Sequence, residues 1–244
     1  VVAMKKLTDS NGEWIVKGAE LLDWKSLASV SDPIFLKYKG EVCSSPLPGV
    51  EPGDETGLTA VLTETKARSA EELKRNISGI ECCLSDFQTY TPVRFTDKPE
   101  EYSQYWAIRS GIFPSVGGTR KPGTTCLIED VAFHIEDLPE ATAELQQLIA
   151  RHGYEDACIH ALEGNYHFIL NQSFSSDAEV KRYEDLMNDV KTLVVDRYDG
   201  SLKAEHGTGR NMAPFVRYEW GDAAYEVMKA VKKLFDPKGL LNPG

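Results

Sequence analysis

No stretch of the 244-residue sequence is apolar for long enough to span a bilayer, and no charged-then-apolar leader opens it. The chain is therefore expected to be soluble; it is read as cytoplasmic, with room for a longer protein to sit peripherally on the inner face of a membrane. Positive charge is also short: 27 Lys and Arg face 38 Asp and Glu, a formal net charge of -11. Nucleic-acid binding relies on Lys and Arg displacing counterions, so nucleic acid is excluded as a partner. Cysteine is sparse and odd in number, five residues without a Cys-x-x-Cys pair, which fits neither a disulfide framework nor a thiolate zinc site and points to a reducing compartment. Asn76-Ile77-Ser78 and Asn171-Gln172-Ser173 are then chance matches to the glycosylation pattern. There is no solenoid repeat, no Gly-x-Ser-x-Gly elbow and no third glycine after Gly207-Thr208-Gly209. Gly118 and Gly123 have the spacing of a phosphate loop, but Thr124 stands where its lysine must be. Serine hydrolases and nucleotide folds lose their support.

What remains is an ordinary globular composition, 41% hydrophobic and 27% charged. Both ends look abrupt: Val1 to Leu7 reads as the second half of a helix, and the chain stops after Asn242-Pro243-Gly244, so residues 1–244 are expected to be one domain excised from a longer protein. A helix is expected around Glu20 to Leu27, and residues 41–57, rich in proline and glycine, form a loop or insertion. Leu58 to Thr65 reads as a strand, and Ser69-x-x-Glu72 is a capping box opening the next helix. Tyr102 to Ile112 is partly helical and carries Arg109; a Gly-rich loop with Arg120 and Lys121 follows, then a strand from Thr125 to His134. Leu138, Ala141, Leu145, Leu148 and Ile149 mark one helix face, Tyr183, Met187, Val190 and Val194 another. The last helix carries Ala224, Val227, Met228, Val231, Leu234 and Phe235 at the spacing of a core stripe. Strands then helices in this order predict a layered α+β fold.

Two stretches carry chemistry. Glu205-His206-Gly207-Thr208-Gly209-Arg210 packs an acid, an imidazole and two glycines into six residues, so that a titratable base and accessible backbone meet at one point. Cys158 to Leu170 reads as a β-hairpin. With its turn at Glu163-Gly164, His160 lies directly across from His167, while Ile159, Ala161, Tyr166, Phe168 and Leu170 face the core. Opposed Cβ atoms are ~4.5–5.5 Å apart, within reach of one shared metal ion, for which Glu205 is the obvious third ligand.

These motifs, in the order Tyr105-Trp106-Ala107-Ile108-Arg109, Glu129-Asp130-Val131, His160 to His167, Glu205 to Gly209 and Phe235 to Gly244, resemble the C-terminal cap domain of FAD-linked oxidases of the vanillyl-alcohol-oxidase superfamily. Members include D-lactate dehydrogenases, glycolate oxidase flavin subunits and D-2-hydroxyglutarate dehydrogenases, and the match is most like the large members fused to an iron-sulfur region. The resemblance implies an antiparallel sheet, ferredoxin-like, with helices packed on one face, covering the flavin of a separate FAD-binding domain. It implies FAD, a divalent metal (zinc, manganese or iron) and a 4Fe-4S cluster further along the polypeptide. The partners it implies are a small D-2-hydroxy acid, the FAD-binding domain and an electron acceptor, and the isolated domain is expected to be inactive. Carried over by position, His160, His167 and Glu205 match metal ligands, His206 the catalytic base, Arg109 the arginine that grips the substrate carboxylate, and Asn242 a stretch returning towards the flavin, with Glu205 also on the cofactor side. Ile128, Phe113 and Ile169 stand where the 2-hydroxyglutarate enzymes carry polar residues, leaving Arg120 and Lys121 as candidates for a distal carboxylate. Two other readings stay open: a metal-dependent hydrolase using His160, His167 and Glu205, and a non-catalytic binding module.

Overall fold

A computed structural model describes residues 1–30, 59–89, 92–162 and 164–243. The expected loop at 41–57 lies outside the described residues. Five strands, β1 (Val16–Asp23), β2 (Thr59–Thr65), β3 (Thr124–Ala132), β4 (Cys158–Leu162) and β5 (Asn165–Ser173), form one sheet in the order β2-β1-β4-β5-β3. Every neighbouring pair is antiparallel, and the fold is α+β.

The first element departs from the sequence reading. Glu20 to Asp23 continue β1, and the helix α1 (Trp24–Ser29) begins only after them. Asp23 makes the switch: one carboxylate oxygen accepts from the Ser26 N–H at 2.8 Å and caps the helix, and the other accepts from the Ile159 N–H at 3.0 Å. A strand that is buried on both faces loses the alternation that marks it, and Glu20 to Asp23 are buried or half-buried without a break. Near the start of the chain, Met4–Lys6 form a short 3₁₀ turn.

Helix α2 (Ala70–Leu84) opens as read, with Ser69 Oγ accepting from Glu72 N at 3.2 Å and the Glu72 carboxylate accepting from Arg68 N at 2.9 Å. Helix α3 (Pro99–Gly118) absorbs the start of the expected Gly-rich loop. Helices α4 (Leu138–Arg151) and α5 (Asp177–Lys191) lie on one face of the sheet. Their Leu145, Leu148, Leu186 and Val190 pack with Ile159, Ala161, Tyr166, Phe168 and Leu170, the core face predicted for the hairpin. On the opposite face Ile112 and Val116 of α3 pack on Leu22, Cys158 and Ile169, so one end of that face is roofed as well. Each fully buried large side chain contributes roughly 1.5–3 kcal/mol.

The last helices, α6 (Gly209–Met212) and α7 (Val216–Phe235), correct another expectation. The apolar stripe of α7 is not core: Val227, Val231, Leu234 and Phe235 are 63%, 50%, 75% and 77% exposed. Among the described residues nothing buries any residue of α7, which bends at Gly221 (φ 73°). Spacing shows that a helix has an apolar face, and does not show what covers it.

Candidate functional site

The hairpin register places His160 opposite His167, and β3 places Asp130 opposite His167, so His160, His167 and Asp130 form a row across three strands. All three are buried. The row lies on the face partly roofed by α3, from which Arg109 reaches Glu20, its Nε 3.0 Å from Glu20 Oε1. Glu20 is itself buried on β1.

The segment after Ser201 closes the other side. Ser201 pairs with Ala132 at the open edge of β3, and the chain then passes the histidine row. Asp130 accepts the backbone N–H groups of Ala204, Glu205 and His206 at 2.8, 3.0 and 2.6 Å. Burial works to raise the Asp130 pKa, but these three donors outweigh it and hold the carboxyl below its ordinary range. Gly207 and Gly209 turn the chain at φ 70° and 60°, left-handed conformations that favour glycine.

The result is a chain of close contacts. His160 Nε2 and His167 Nδ1 are 3.1 Å apart, His167 Nε2 lies 3.1 Å from Glu205 Oε1, and the His206 ring stacks on His167 at 4.5 Å between centroids. His206 Nε2 is 3.6 Å from Glu205 Oε1, and its Nδ1 is 3.8 Å from Asp130 Oδ2. Burial pushes the His160 pKa down to about 3, aided by the nearby His167 and Arg109. His167 is lowered too, by burial and then by His206. Both imidazoles are therefore neutral near pH 7; His160 Nδ1 is buried without a hydrogen-bond partner, and buried His167 Nε2 faces the Glu205 carboxylate without making an aligned hydrogen bond to it. Neutral imidazole nitrogens beside an exposed carboxylate are a donor set that suits zinc, manganese or iron. Asp130, His167 and His206 also bring one donor atom each within 4.8 Å of one another. Asp130 already serves three N–H groups there, which leaves Glu205 the freer oxygen donor.

Not every predicted residue is brought in. Arg120 turns back onto the carbonyls of Gly117 and Thr124 at the start of β3, and Lys121 follows it. Asp130 lies six residue steps along the strand from Thr124, about 20 Å at ~3.4 Å per residue. Asn242 lies beyond α7, exposed, with φ 47°. Ile128 and Ile169, opposite each other, pack in the apolar seam under α3. Sequence reasoning assigned no role to Glu20 or to Glu129 and Asp130, although acids inside otherwise apolar strands were the available signal.

Residues 3–244 match the family described as FAD linked oxidases, C-terminal domain. The chain belongs to this family. This FAD-linked oxidase C-terminal domain is 27% identical over 188 residues to a D-2-hydroxyglutarate dehydrogenase of Stutzerimonas stutzeri, covering 75% of the chain and 39% of the relative. It is 31% identical over 155 residues to the glycolate oxidase subunit GlcD of Escherichia coli K12, covering 63% and 30%. It is 28% identical over 182 residues to a probable mitochondrial D-lactate dehydrogenase of Danio rerio, covering 74% and 34%. The domain thus spans between 30% and 39% of the length of these curated relatives. Among its described residues no helix is long and apolar enough to cross a membrane.

Proposed function

We propose that this domain supplies the substrate and metal site of a flavin-dependent dehydrogenase that oxidises a D-2-hydroxy acid to the 2-oxo acid. The observation that carries the reading is the convergence of Arg109, His160, His167, Glu205 and His206 on one end of one sheet face, in a chain of this family. Its relatives' names span D-lactate, glycolate and D-2-hydroxyglutarate.

His160, His167 and Glu205 would hold the divalent metal, since the two imidazoles are kept neutral by burial and the carboxylate is half exposed. When bound, the metal supplies a Lewis acid towards the hydroxyl and FAD supplies the two-electron acceptor. Arg109, held in place by Glu20, keeps guanidinium N–H groups for the substrate carboxylate. His206, partly exposed beside Glu205, takes the hydroxyl proton at Nε2, with Nδ1 turned towards Asp130. Arg120 and Lys121 precede β3, at the end of the strand remote from Asp130, too far away to serve a second carboxylate, which favours glycolate or D-lactate over D-2-hydroxyglutarate. The uncovered apolar face of α7, followed by Asn242, is suited to burial against the FAD-binding domain of the longer protein.

The test is anaerobic flavin reduction in the full-length protein. D-lactate or glycolate is expected to bleach the flavin, D-2-hydroxyglutarate to do so weakly, and His206→Asn to lower kcat by about 10²–10⁴-fold. No bleaching by any D-2-hydroxy acid refutes the reading, and ester or amide hydrolysis by the isolated chain would favour the hydrolase alternative instead.

A further inference from the structure

Two adjacent buried acids do more than fill a strand. Glu129 and Asp130 are 1% and 0% exposed, and as neighbours on β3 they point to opposite faces of the sheet. Asp130 takes the backbone N–H groups of residues 204, 205 and 206. Glu129, on the other face, accepts from Lys203 Nζ at 3.0 Å, from Asn211 Nδ2 at 2.6 Å and from Tyr183 Oη at 3.3 Å. Lys203 and Asn211 flank the segment that Asp130 grips in its middle. Residues 204–210 are exposed, and no helix begins before Gly209, so little else is available to fix the backbone that carries Glu205 and His206.

We propose that Glu129 and Asp130 form a two-sided clamp: positioning residues that straddle the edge strand and fix residues 203–211, so that the Glu205 carboxylate and the His206 ring face His167. The clamp rests on the reading above only in assigning work to Glu205 and His206; its geometry stands without it. Two features separate it from ordinary strand stabilisation. The donors to both acids come from the segment or from α5, not from the sheet, and Asp130 binds backbone, so it sets the path of residues 204–206 whatever their side chains do.

The test is amide hydrogen exchange, read by NMR in the metal-free chain, together with a zinc titration. The amides of Ala204, Glu205 and His206 are expected to exchange about 10–100-fold more slowly than those of Gly207 and Thr208, the factor that a hydrogen bond to a charged group gives. Asp130→Asn should abolish that difference, leave the β3–β5 ladder amides slow, and weaken zinc binding about 10–100-fold, as loss of an outer-shell partner does. Glu129→Gln should speed the same three amides by a smaller factor. If Asp130→Asn does not fold, the wild-type profile and Glu129→Gln decide. Equal exchange across residues 204–208 in the wild-type chain, or unchanged protection in Asp130→Asn, overturns the clamp. A wild-type chain that binds no zinc counts against the metal reading instead, and the exchange profile still decides the clamp.

Discussion

Acidifying the metal-free chain from pH 7 to pH 5 should cost it stability, and buried His160 sets most of the slope. His160 is 5% exposed, and its pKa is driven from 6.5 down to about 3 by burial and then by His167 and Arg109. At pH 7 it is neutral in both folded and unfolded chains. As the pH falls below 6.5, the unfolded chain takes up the proton and the folded chain does not, so unfolding is favoured. The slope is about 1.4 kcal/mol per pH unit, which makes about 2 kcal/mol between pH 7 and pH 5 and continues towards pH 3. His167, also lowered, adds to the loss with the same sign. Asp130 has the same sign but a different window: its depressed pKa stabilises the fold above the ordinary carboxylate range, and that contribution is lost only as the pH falls below about 4. The assay is urea unfolding of chelator-treated protein at pH 7, 6 and 5, for the wild type and for His160→Gln. The variant should show a slope flatter by about 1 kcal/mol per unit. Identical slopes, or wild-type stability that does not fall between pH 6.5 and 5, would mean that His160 is not held neutral and that the buried ligand-pair argument is wrong.

Two further outcomes check the fold. In Gly200→Ala, the added Cβ would clash with the Ala132 carbonyl oxygen, a backbone atom that cannot swing aside, next to the Ser201–Ala132 bridge, and a loss of about 1–3 kcal/mol is expected in thermal unfolding. Leu234→Ser and Phe235→Ser should each change the stability of this chain by no more than about 0.5 kcal/mol, whereas Phe168→Ala, at a fully buried site, should cost about 3–5 kcal/mol in the same urea assay.

The parts of the fold legible in the sequence are those whose cause is local. The hairpin could be read because its turn and its alternation agree on one register, and His160 and His167 fell opposite each other as a consequence. The opening of α2 could be read because a capping box is a contact between residues three apart. Strand β1 could not be, because both of its faces are covered and the alternation that marks a strand is lost. The stripe of α7 was legible as a helix face, while its exposure was not, since a stripe carries no record of what packs on it.

The site divides along the same line. His160 and His167 belong to a hairpin that positions both of them, but Glu205 and His206 are useful only where residues 204–206 are held, and what holds them is an acid more than 70 residues earlier in the chain. Nothing in the spacing of Glu205-His206-Gly207-Thr208-Gly209 points to Asp130; the link appears only when β3 is set at the sheet edge beside the returning chain. This division suits the chemistry. Of the proposed ligands, His160 and His167 sit on rigid paired strands, whereas Glu205 and the proposed base His206 sit on a segment held by its backbone with both side chains left about half exposed. An acid buried in the strand supplies that combination, because it fixes the main chain without occupying the space in front of the imidazole.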